Sequence, residues 1–160
     1  MSQFTIFDHD NVIGDDAWRI PLIRWDLPDM NARYHAYHLA SAFDVPGNKL
    51  MLKNLRAEDV IIFTAMPEEY RTLRHLWLNH NRIPVNRIYM RRAGNHAHSA
   101  DVKREMLHQF YEDFGTTKDS IRIAYDDRAD VVAMYLAEGV KAELVSIHKV
   151  SAYRPPRLVA

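Results

Sequence analysis

Several common features are missing from this sequence of 160 residues, and each absence excludes a class of protein. The chain has no cysteine, which excludes disulfide cross-links, thiolate metal sites, iron–sulfur clusters and a cysteine nucleophile. No apolar run approaches the ~18 residues of a membrane span. The N-terminus also lacks the basic start and apolar stretch of a signal peptide. We therefore expect a soluble protein of a reducing, cytoplasmic compartment.

The chain also has no net charge, since it contains 21 Lys and Arg against 21 Asp and Glu. The charges are nevertheless unevenly placed. Residues 1–30 hold six Asp against two Arg, whereas residues 82–104 hold six Lys and Arg against one Asp. An acidic segment that holds a cation and a basic segment that meets an anion would suit phosphate chemistry. Ordinary exposed surface charge is the alternative explanation.

Apolar runs and helical patterns alternate along the chain. Strands are expected at 4–7, 60–63, 87–90, 121–125 and 142–147. Helices are expected at 31–43, 67–80, 101–114 and 129–138, the second with Leu73, Leu76 and Trp77 facing inward. Strands buried on both faces and joined by helices indicate a parallel sheet in a three-layer, Rossmann-like α/β fold.

The domain organisation expected from this pattern is simple. Residues 1–150 would form one domain that contains a small insert at 13–58, and residues 151–160 would be a tail. Within the insert, residues 17–27 predict irregular structure or a short helix, and Asp29 could cap the helix that follows.

Acidic and hydroxyl residues follow three of the predicted strands. Asp8 and Asp10 come after the first, Thr64 after the second, and Asp126 with Asp127 after the fourth. Because ligands bind at the carboxyl ends of the strands in such sheets, we expect these residues to meet. Carboxylates at such short distances would repel each other unless a cation lay between them. Oxygen ligands favour Mg²⁺ as that cation. A single Asp after a strand is more often a cap or turn residue.

These residues carry a resemblance to the haloacid dehalogenase (HAD) superfamily. Asp8-His9-Asp10-Asn11-Val12 resembles its first motif, and Ile61-Ile62-Phe63-Thr64 resembles the second. Lys103 fits the third motif, and Asp126-Asp127 fits the fourth. The four motifs occur in the right order and span residues 4–148.

The segments 101–105 and 126–135 are similar to the phosphatase domain of bacteriophage polynucleotide kinase-phosphatases and to small phage nucleotide phosphatases. Two positions depart from that pattern. Asn11 replaces a common glycine, although Asn tolerates left-handed torsions, and Met66 replaces an arginine. No phosphate-binding loop of the kinase type is present. A phage-encoded chain would work in the cytoplasm of the infected host cell.

The resemblance implies a role for each motif residue. Asp8 would attack phosphorus, and Asp10 would protonate the leaving oxygen and then activate water. Thr64 and Lys103 would stabilise the phosphoryl group. Mg²⁺ would be held by Asp8, Asp126 and the backbone carbonyl of Asp10, with Asp127 holding its waters.

Substrate contacts are expected from Arg91, Arg92, Asn11 and Met66, with exposed surface charge as the alternative for the two arginines. The insert contains four aromatic residues that could stack on a nucleobase or pack in its own core: Trp18, Trp25, Tyr34 and Tyr37. His9 is expected to point away from the two aspartates that flank it and to serve in packing. The nine histidines show no zinc-ligand spacing.

The sequence thus predicts a Mg²⁺-dependent phosphomonoesterase that acts on nucleoside monophosphates through an aspartyl-phosphate. A 3′- or 5′-phosphatase of nucleic-acid ends is the nearest alternative. A non-catalytic nucleotide-binding protein of the same fold and phosphotransferase or phosphonatase chemistry are the others. No membrane association and no obligate protein partner are expected.

Overall fold

The structure is a computed structural model that describes residues 3–148. The tail predicted at 151–160 and the ends of the domain predicted at 1–150 lie outside these residues. The strands are β1 Phe4–Phe7, β2 Gly14–Asp15, β3 Val45–Pro46, β4 Val60–Pro67, β5 Arg87–Arg91, β6 Ile121–Asp126 and β7 Ala142–Leu144. The α-helices are α1 Met30–Ala40, α2 Lys49–Leu52, α3 Arg71–His80, α4 Ser99–Phe114 and α5 Ala129–Ala137.

One parallel sheet of five strands forms the centre of the molecule, in the order β5-β4-β1-β6-β7. Successive side chains of a strand point to opposite faces, so each face has its own core. On one face, Ile6 and Phe63 pack with residues of α4 and α5. On the other, Phe7 and Ile62 pack with Trp77 of α3. The predicted three-layer α/β fold is confirmed.

The segment after β4 differs from its prediction. The strand continues to Pro67, which pairs with Arg91 across a register irregularity, because a proline without an N–H is tolerated at a strand end. A 3₁₀ turn at Glu68–Tyr70 precedes α3, so the predicted helix start at Pro67 is wrong. Leu76 is 57 % exposed, and the inward position is taken by the fully buried Arg74.

The last strand is also shorter than predicted, since it ends at Leu144 rather than at residue 147. The chain then turns towards Asn11, whose Oδ1 accepts hydrogen bonds from the N–H groups of Ile147 and His148. The turn that follows β1 is thereby tied to the segment that follows β7.

The insert is small and contacts the turn after β1, where its Arg19 meets Asp10. Asp29 caps α1, since its side chain accepts a 2.7 Å hydrogen bond from the N–H of Ala32, as predicted. The segment predicted as irregular or helical contains a 3₁₀ helix at Ala17–Leu22. The antiparallel pair β2–β3 was not predicted, because two-residue strands carry no periodic pattern. Among the described residues, no helix is long and apolar enough to cross a membrane.

Candidate active site

The carboxyl ends of three adjacent strands bring the predicted motif residues together. Asp8 follows β1, Thr64 lies in β4, and Asp126 ends β6. Because β1 lies between β4 and β6, these side chains lie at one edge of the sheet. The N–H of Asp8 donates a 2.9 Å hydrogen bond to the carbonyl of Tyr125, which holds the first motif against the fourth.

Three carboxylates form the centre of the site. Oxygen atoms of Asp8, Asp126 and Asp127 lie within 4.8 Å of one another. Lys103 reaches this group from α4, where its Nζ donates a 2.7 Å hydrogen bond to Oδ1 of Asp8 and a second one to Oδ2 of Asp126. Lys103, Asp8 and Asp126 are all buried. The structure thus places one cation among three acidic groups.

The electrostatics show that one cation does not fully balance these carboxylates. Burial raises the pKa of Asp8 well above its usual range; Lys103 opposes this rise, and Asp126 adds to it. Burial and the charge of Asp126 raise the pKa of Asp127 to about 6. Burial would lower the pKa of Lys103, but Asp126 and Asp8 raise it overall. A further positive charge would therefore stabilise the three carboxylates of Asp8, Asp126 and Asp127.

This donor set fits a magnesium ion. All three acidic groups offer oxygen, the ligand type that Mg²⁺ prefers, and there is no thiolate in the chain to select a softer metal. The carboxylate of Asp126 is already oriented, because its Oδ1 accepts the N–H of Arg128 and its Oδ2 faces Lys103. The side chain of Asp127 is held by Nδ2 of Asn11 at 3.1 Å.

Asp10 contacts a different set of residues. Its Oδ1 lies 2.5 Å from Nη2 of Arg19 and 2.9 Å from Nδ1 of His9, and Nη2 of Arg74 is 3.9 Å away. Burial alone would raise the pKa of Asp10, but Arg19 and the His9 hydrogen bond hold it well below its usual range. Asp10 is therefore a carboxylate in the free protein, with a partly exposed side chain.

Arg19 connects Asp10 to the insert. Its Nε and Nη2 each lie 2.8 Å from one oxygen of Asp44, its Nη1 donates to the carbonyl of Tyr37, and its guanidinium lies 4.0 Å from the centre of the Tyr37 ring. Trp18 also donates to Asp44 through Nε1 at 3.1 Å. The fully buried guanidinium thus fixes the position of the insert relative to the first motif.

The sequence analysis expects the side chain of His9 to point away from Asp10, but in the structure this side chain contacts Asp10. The chain turns after β1, so the alternation of a strand no longer applies, and Nδ1 of His9 reaches Asp10. Its Nε2 faces Nη1 of Arg74 in a short contact, and its ring meets Trp77 edge-on at 4.5 Å. The predicted packing role is only part of what His9 does, because both ring nitrogens have polar partners.

Three other predicted residues are buried. Thr64 is 1 % exposed, and its Oγ1 accepts the N–H of Met66 at 3.2 Å. Met66 is also 1 % exposed and receives a 3.3 Å contact from Arg74 on its sulfur, so the structure places it in the core rather than on a substrate surface. Asn11 has the left-handed φ of 61° that was anticipated. Its amide donates to Asp127 and to the carbonyl of His148 and accepts the N–H of Ile147, so its polar atoms face protein partners in this structure.

The two predicted arginines differ from each other. Arg91 is half-buried: its Nε donates to the carbonyl of Ala65 in β4, and its Nη1 donates to the carbonyls of Asn95 and Ala97 in the loop after β5. Arg92 is exposed and has only a long contact of 3.4 Å with Gln109 among the contacts recorded for described residues. Of the pair, Arg92 has the guanidinium that is free to meet an anion.

The insert aromatics also divide into two kinds. Tyr37 is buried and donates to Asp16 at 2.6 Å, so it belongs to the core of the insert. Tyr34 is half-buried and packs against Trp25, Tyr37 and His38. Burial raises the pKa of Tyr34, and the nearby positive charges of Arg33, Arg128 and Arg91 oppose that rise. Tyr34 is therefore within electrostatic reach of Arg91 and Arg128, which lie outside the insert.

Sequence reasoning did not find Arg19, Asp44 or Arg74. Arginine is seldom fully buried, so the sequence gives no reason to place Arg19 or Arg74 in the core. Arg74 left one detectable signal, because it lies on the same face of α3 as Trp77 and Leu78, three and four residues later. No comparable pattern marks Arg19 in its 3₁₀ helix.

The parallel sheet, the acidic group at its edge and the lysine from α4 together define a hydrolase of the HAD type. A comparison with protein families gives the particular group. The chain belongs to the family described as the polynucleotide kinase PNKP phosphatase domain, whose profile matches residues 4–147. It is accordingly a phosphoric monoester hydrolase.

Solved structures share this fold at low sequence identity. The chain is similar to a protein of the Pnkp1/Rnl/Hen1 RNA repair complex, with 17 % identity and a TM-score of 0.67 over 91 % of this chain and 42 % of that one. It thus spans less than half of that protein.

Two bacterial enzymes match over most of their length. A HAD family enzyme from Bacteroides thetaiotaomicron, in complex with magnesium and inorganic phosphate, has 14 % identity and a TM-score of 0.59 over 96 % of this chain and 100 % of that one. A hydrolase from Streptococcus pneumoniae TIGR4 has 14 % identity and a TM-score of 0.54 over 91 % and 94 %. These likenesses show the fold. A comparison with curated protein sequences found no match.

Proposed function

We propose that this protein is a Mg²⁺-dependent phosphomonoesterase that removes a terminal phosphate from nucleic-acid ends. The observation that carries the proposal is the group of Asp8, Asp126 and Asp127 around Lys103, in which all but the partly exposed Asp127 are buried. Membership of the polynucleotide phosphatase family supports a nucleic-acid end as substrate. Asp8, Asp126 and the backbone carbonyl of Asp10 would hold Mg²⁺, which supplies charge neutralisation to the phosphate when bound.

Asp8 is the proposed nucleophile. Lys103 holds its Oδ1, so Oδ2 is the oxygen that attacks phosphorus. As the bond from Oδ2 to phosphorus forms, the bond from phosphorus to the leaving oxygen breaks, which gives an aspartyl-phosphate and a free hydroxyl on the product. Thr64 Oγ1 and Lys103 Nζ stabilise the charge on the phosphoryl oxygens.

Asp10 is the proposed general acid and base. A bound phosphate dianion raises the pKa of a neighbouring carboxyl group by like-charge repulsion, which favours the protonated form of Asp10. That proton passes to the leaving oxygen. Asp10 then takes a proton from the water that attacks the aspartyl-phosphate, which releases inorganic phosphate and restores Asp8.

Free nucleoside monophosphates are the second candidate substrates. The half-buried ring of Tyr34, close to Arg91 and Arg128, offers a surface on which a base could stack. The zero net charge of the chain also favours a small anion over a long polyanion, since binding to a nucleic-acid backbone relies on many cationic contacts.

A panel of substrates tests the two candidates. Phosphate release should be measured with 3′- and 5′-phosphorylated oligonucleotides, nucleoside 3′- and 5′-monophosphates, and glycerol phosphate, at low and high salt. The proposal expects the highest kcat/KM on one oligonucleotide end, with a loss of kcat/KM as salt rises. Faster hydrolysis of free nucleotides, independent of salt, would favour the second candidate. Hydrolysis of none of them would contradict both.

A further inference from the structure

We propose that His9 and Arg74 are positioning residues that determine which oxygen of Asp10 exchanges a proton with the substrate. The inference rests on the proposed function of Asp10 as general acid and base. His9 lies between the two aspartates of the first motif and Arg74 lies outside all four motifs, and no role has been given to either side chain in the proposed reaction. Both are fully buried, and they connect α3 to the turn that follows β1.

The hydrogen-bond chemistry of the two side chains fixes the form of His9. A guanidinium group can only donate, so Nε2 of His9, which faces Nη1 of Arg74, must accept. A neutral imidazole carries one proton, and that proton must therefore be on Nδ1. An Nε2 atom that accepts a hydrogen bond carries no proton, so the ring in this arrangement is neutral. Nδ1 consequently donates its proton to Oδ1 of Asp10 at 2.9 Å.

The second step concerns the oxygens of Asp10. Oδ1 accepts from Nδ1 of His9 and from Nη2 of Arg19, and Arg74 adds positive charge at 3.9 Å. Among the contacts recorded for residues 3–148, Oδ2 has no donor. An oxygen that already accepts two N–H groups is a poor site for a further proton. Oδ2 is therefore the oxygen that carries the proton to the leaving group.

The atoms around His9 hold its ring in one position. A Cβ at Gly14 would lie 2.4 Å from Cε1 of His9, so only a glycine fits beside the ring. The edge of Trp77 lies on another side, and the carbonyl of His9 accepts the N–H groups of Val12, Ile13 and Gly14. Backbone and ring are thus both fixed, which suits a residue that must orient its neighbour within a fraction of an ångström.

Within residues 3–148, the guanidinium of Arg74 lies 3.9 Å from Oδ1 of Asp10 and 5.9 Å from the centre of the Trp77 ring. Its Nη2 contacts the sulfur of Met66, and its Nε has no hydrogen-bond partner in the described part of the chain. A buried guanidinium is expensive without a paired carboxylate. Arg74 faces the carboxylate of Asp10 both directly and through His9, so we assign its contribution to the His9–Asp10 pair.

The test compares two leaving groups. An alkoxide leaving from a nucleotide must be protonated, whereas p-nitrophenolate leaves readily without a proton. We expect Arg74→Met to lower kcat/KM for the nucleotide substrate about tenfold or more relative to kcat/KM for p-nitrophenyl phosphate, since a general acid contributes ~10²–10⁴. A residue that only maintains the fold would lower both values in parallel, and this result would overturn the inference.

Two amides at position 9 provide a matched pair. The side-chain nitrogen of His9→Asn can occupy the place of Nδ1 and donate to Asp10, whereas that of His9→Gln reaches the place of Nε2. We expect His9→Asn to keep the ratio of kcat/KM for the nucleotide to kcat/KM for p-nitrophenyl phosphate within about threefold of the wild-type ratio. His9→Gln should lower this ratio about tenfold or more, as Arg74→Met does. Equal ratios in the two variants would contradict the proposed donor position.

The wild-type protein gives a test that no folding defect can disturb. The ¹⁵N chemical shifts of the two ring nitrogens of His9 report which one carries the proton. We expect the Nδ1–H tautomer, and an Nε2–H tautomer would overturn the inference. If the wild type hydrolysed neither substrate, the proposed function would fail, while the NMR result would still decide the hydrogen-bond chain.

Discussion

Lys103 donates a 2.7 Å hydrogen bond to Asp8, which precedes it by 95 residues in the chain. This contact joins the first helix turns of α4 to the end of the central strand. It places the cation of the third motif beside the nucleophile proposed for the first. A fully buried lysine is costly unless it is paired, and the charges of Asp126 and Asp8 both raise the pKa of Lys103 against the effect of burial.

Replacement of Asp8 by Asn should abolish turnover and leave the fold intact. An amide cannot attack phosphorus, and it removes one of three carboxylates from a crowded group. We expect less than about one per cent of the wild-type kcat, measured by phosphate release, because covalent catalysis is lost. The exposed Asp26→Asn, whose partner Arg24 is also exposed, is the control and should keep full activity. Activity of Asp8→Asn near the wild-type value would remove Asp8 from the mechanism.

Magnesium should stabilise the folded protein. A ligand at about 100 times its Kd adds ~2.7 kcal/mol, which corresponds to roughly 5–10 °C in Tm for a domain of this size. Thermal unfolding with EDTA and with Mg²⁺ measures the shift. Activity should disappear with EDTA, and Ca²⁺ should support it poorly because its coordination is looser.

The two aspartates of the fourth motif provide the comparison for this metal prediction. Asp126 is fully buried and fixed by Lys103 and Arg128, whereas within residues 3–148 the side chain of Asp127 has a hydrogen bond from Asn11 alone. Asp126→Asn should therefore lose the Mg²⁺-dependent shift in Tm, and Asp127→Asn should keep part of it. An equal shift in both variants and the wild type would mean that the ion binds elsewhere.

The sequence was sufficient for the fold because its signals are strong and local. Ile61, Ile62 and Phe63 form a continuous apolar run, and Gly115 ends α4 with a left-handed φ of 57°. A continuous apolar run indicates a buried parallel strand. A glycine after a helical pattern indicates the end of the helix. The β2–β3 pair and the extension of β4 to Pro67 depend on tertiary contacts, which leave no periodic pattern.

The candidate site was predictable only in part, for a related reason. Asp8, Thr64, Lys103 and Asp126 lie next to strand or helix ends, so the topology alone brings them together. The environment of Asp10 arises from Arg19 and Arg74, which come from two elements far apart in the chain. A buried arginine has the same sequence signature as an exposed one, and its partners appear only when the fold is known.

Asp44 should be important for stability although it lies outside every motif. Its carboxylate binds Nε and Nη2 of the buried Arg19, and Asn cannot replace both charged contacts. Burial raises the pKa of Asp44 to about 6, so the pair is ionised at pH 8. We expect Asp44→Asn to lower the free energy of unfolding by ~3–5 kcal/mol, the usual cost of breaking a buried pair.

Urea unfolding at pH 8 measures this loss, and Asp26→Asn serves again as the exposed control with no measurable change. The variant should also lose activity at temperatures where it stays folded, because Arg19 no longer holds Asp10 in place. An Asp44→Asn protein as stable as the wild type would show that Arg19 finds another partner.

Tyr34 should contribute to substrate choice through its ring and not through its hydroxyl. It is the half-buried aromatic of the insert that lies close to Arg91 and Arg128. Base stacking contributes ~1–3 kcal/mol, or roughly one to two orders of magnitude in kcat/KM. Tyr34→Ala should therefore lower kcat/KM for nucleotide substrates by that factor and leave glycerol phosphate unchanged, while Tyr34→Phe should behave as the wild type. Phe43→Ala, at a 77 % exposed aromatic of the same insert, is the control for a general surface effect. A parallel loss on nucleotides and glycerol phosphate would show that Tyr34 supports the insert and does not contact a base.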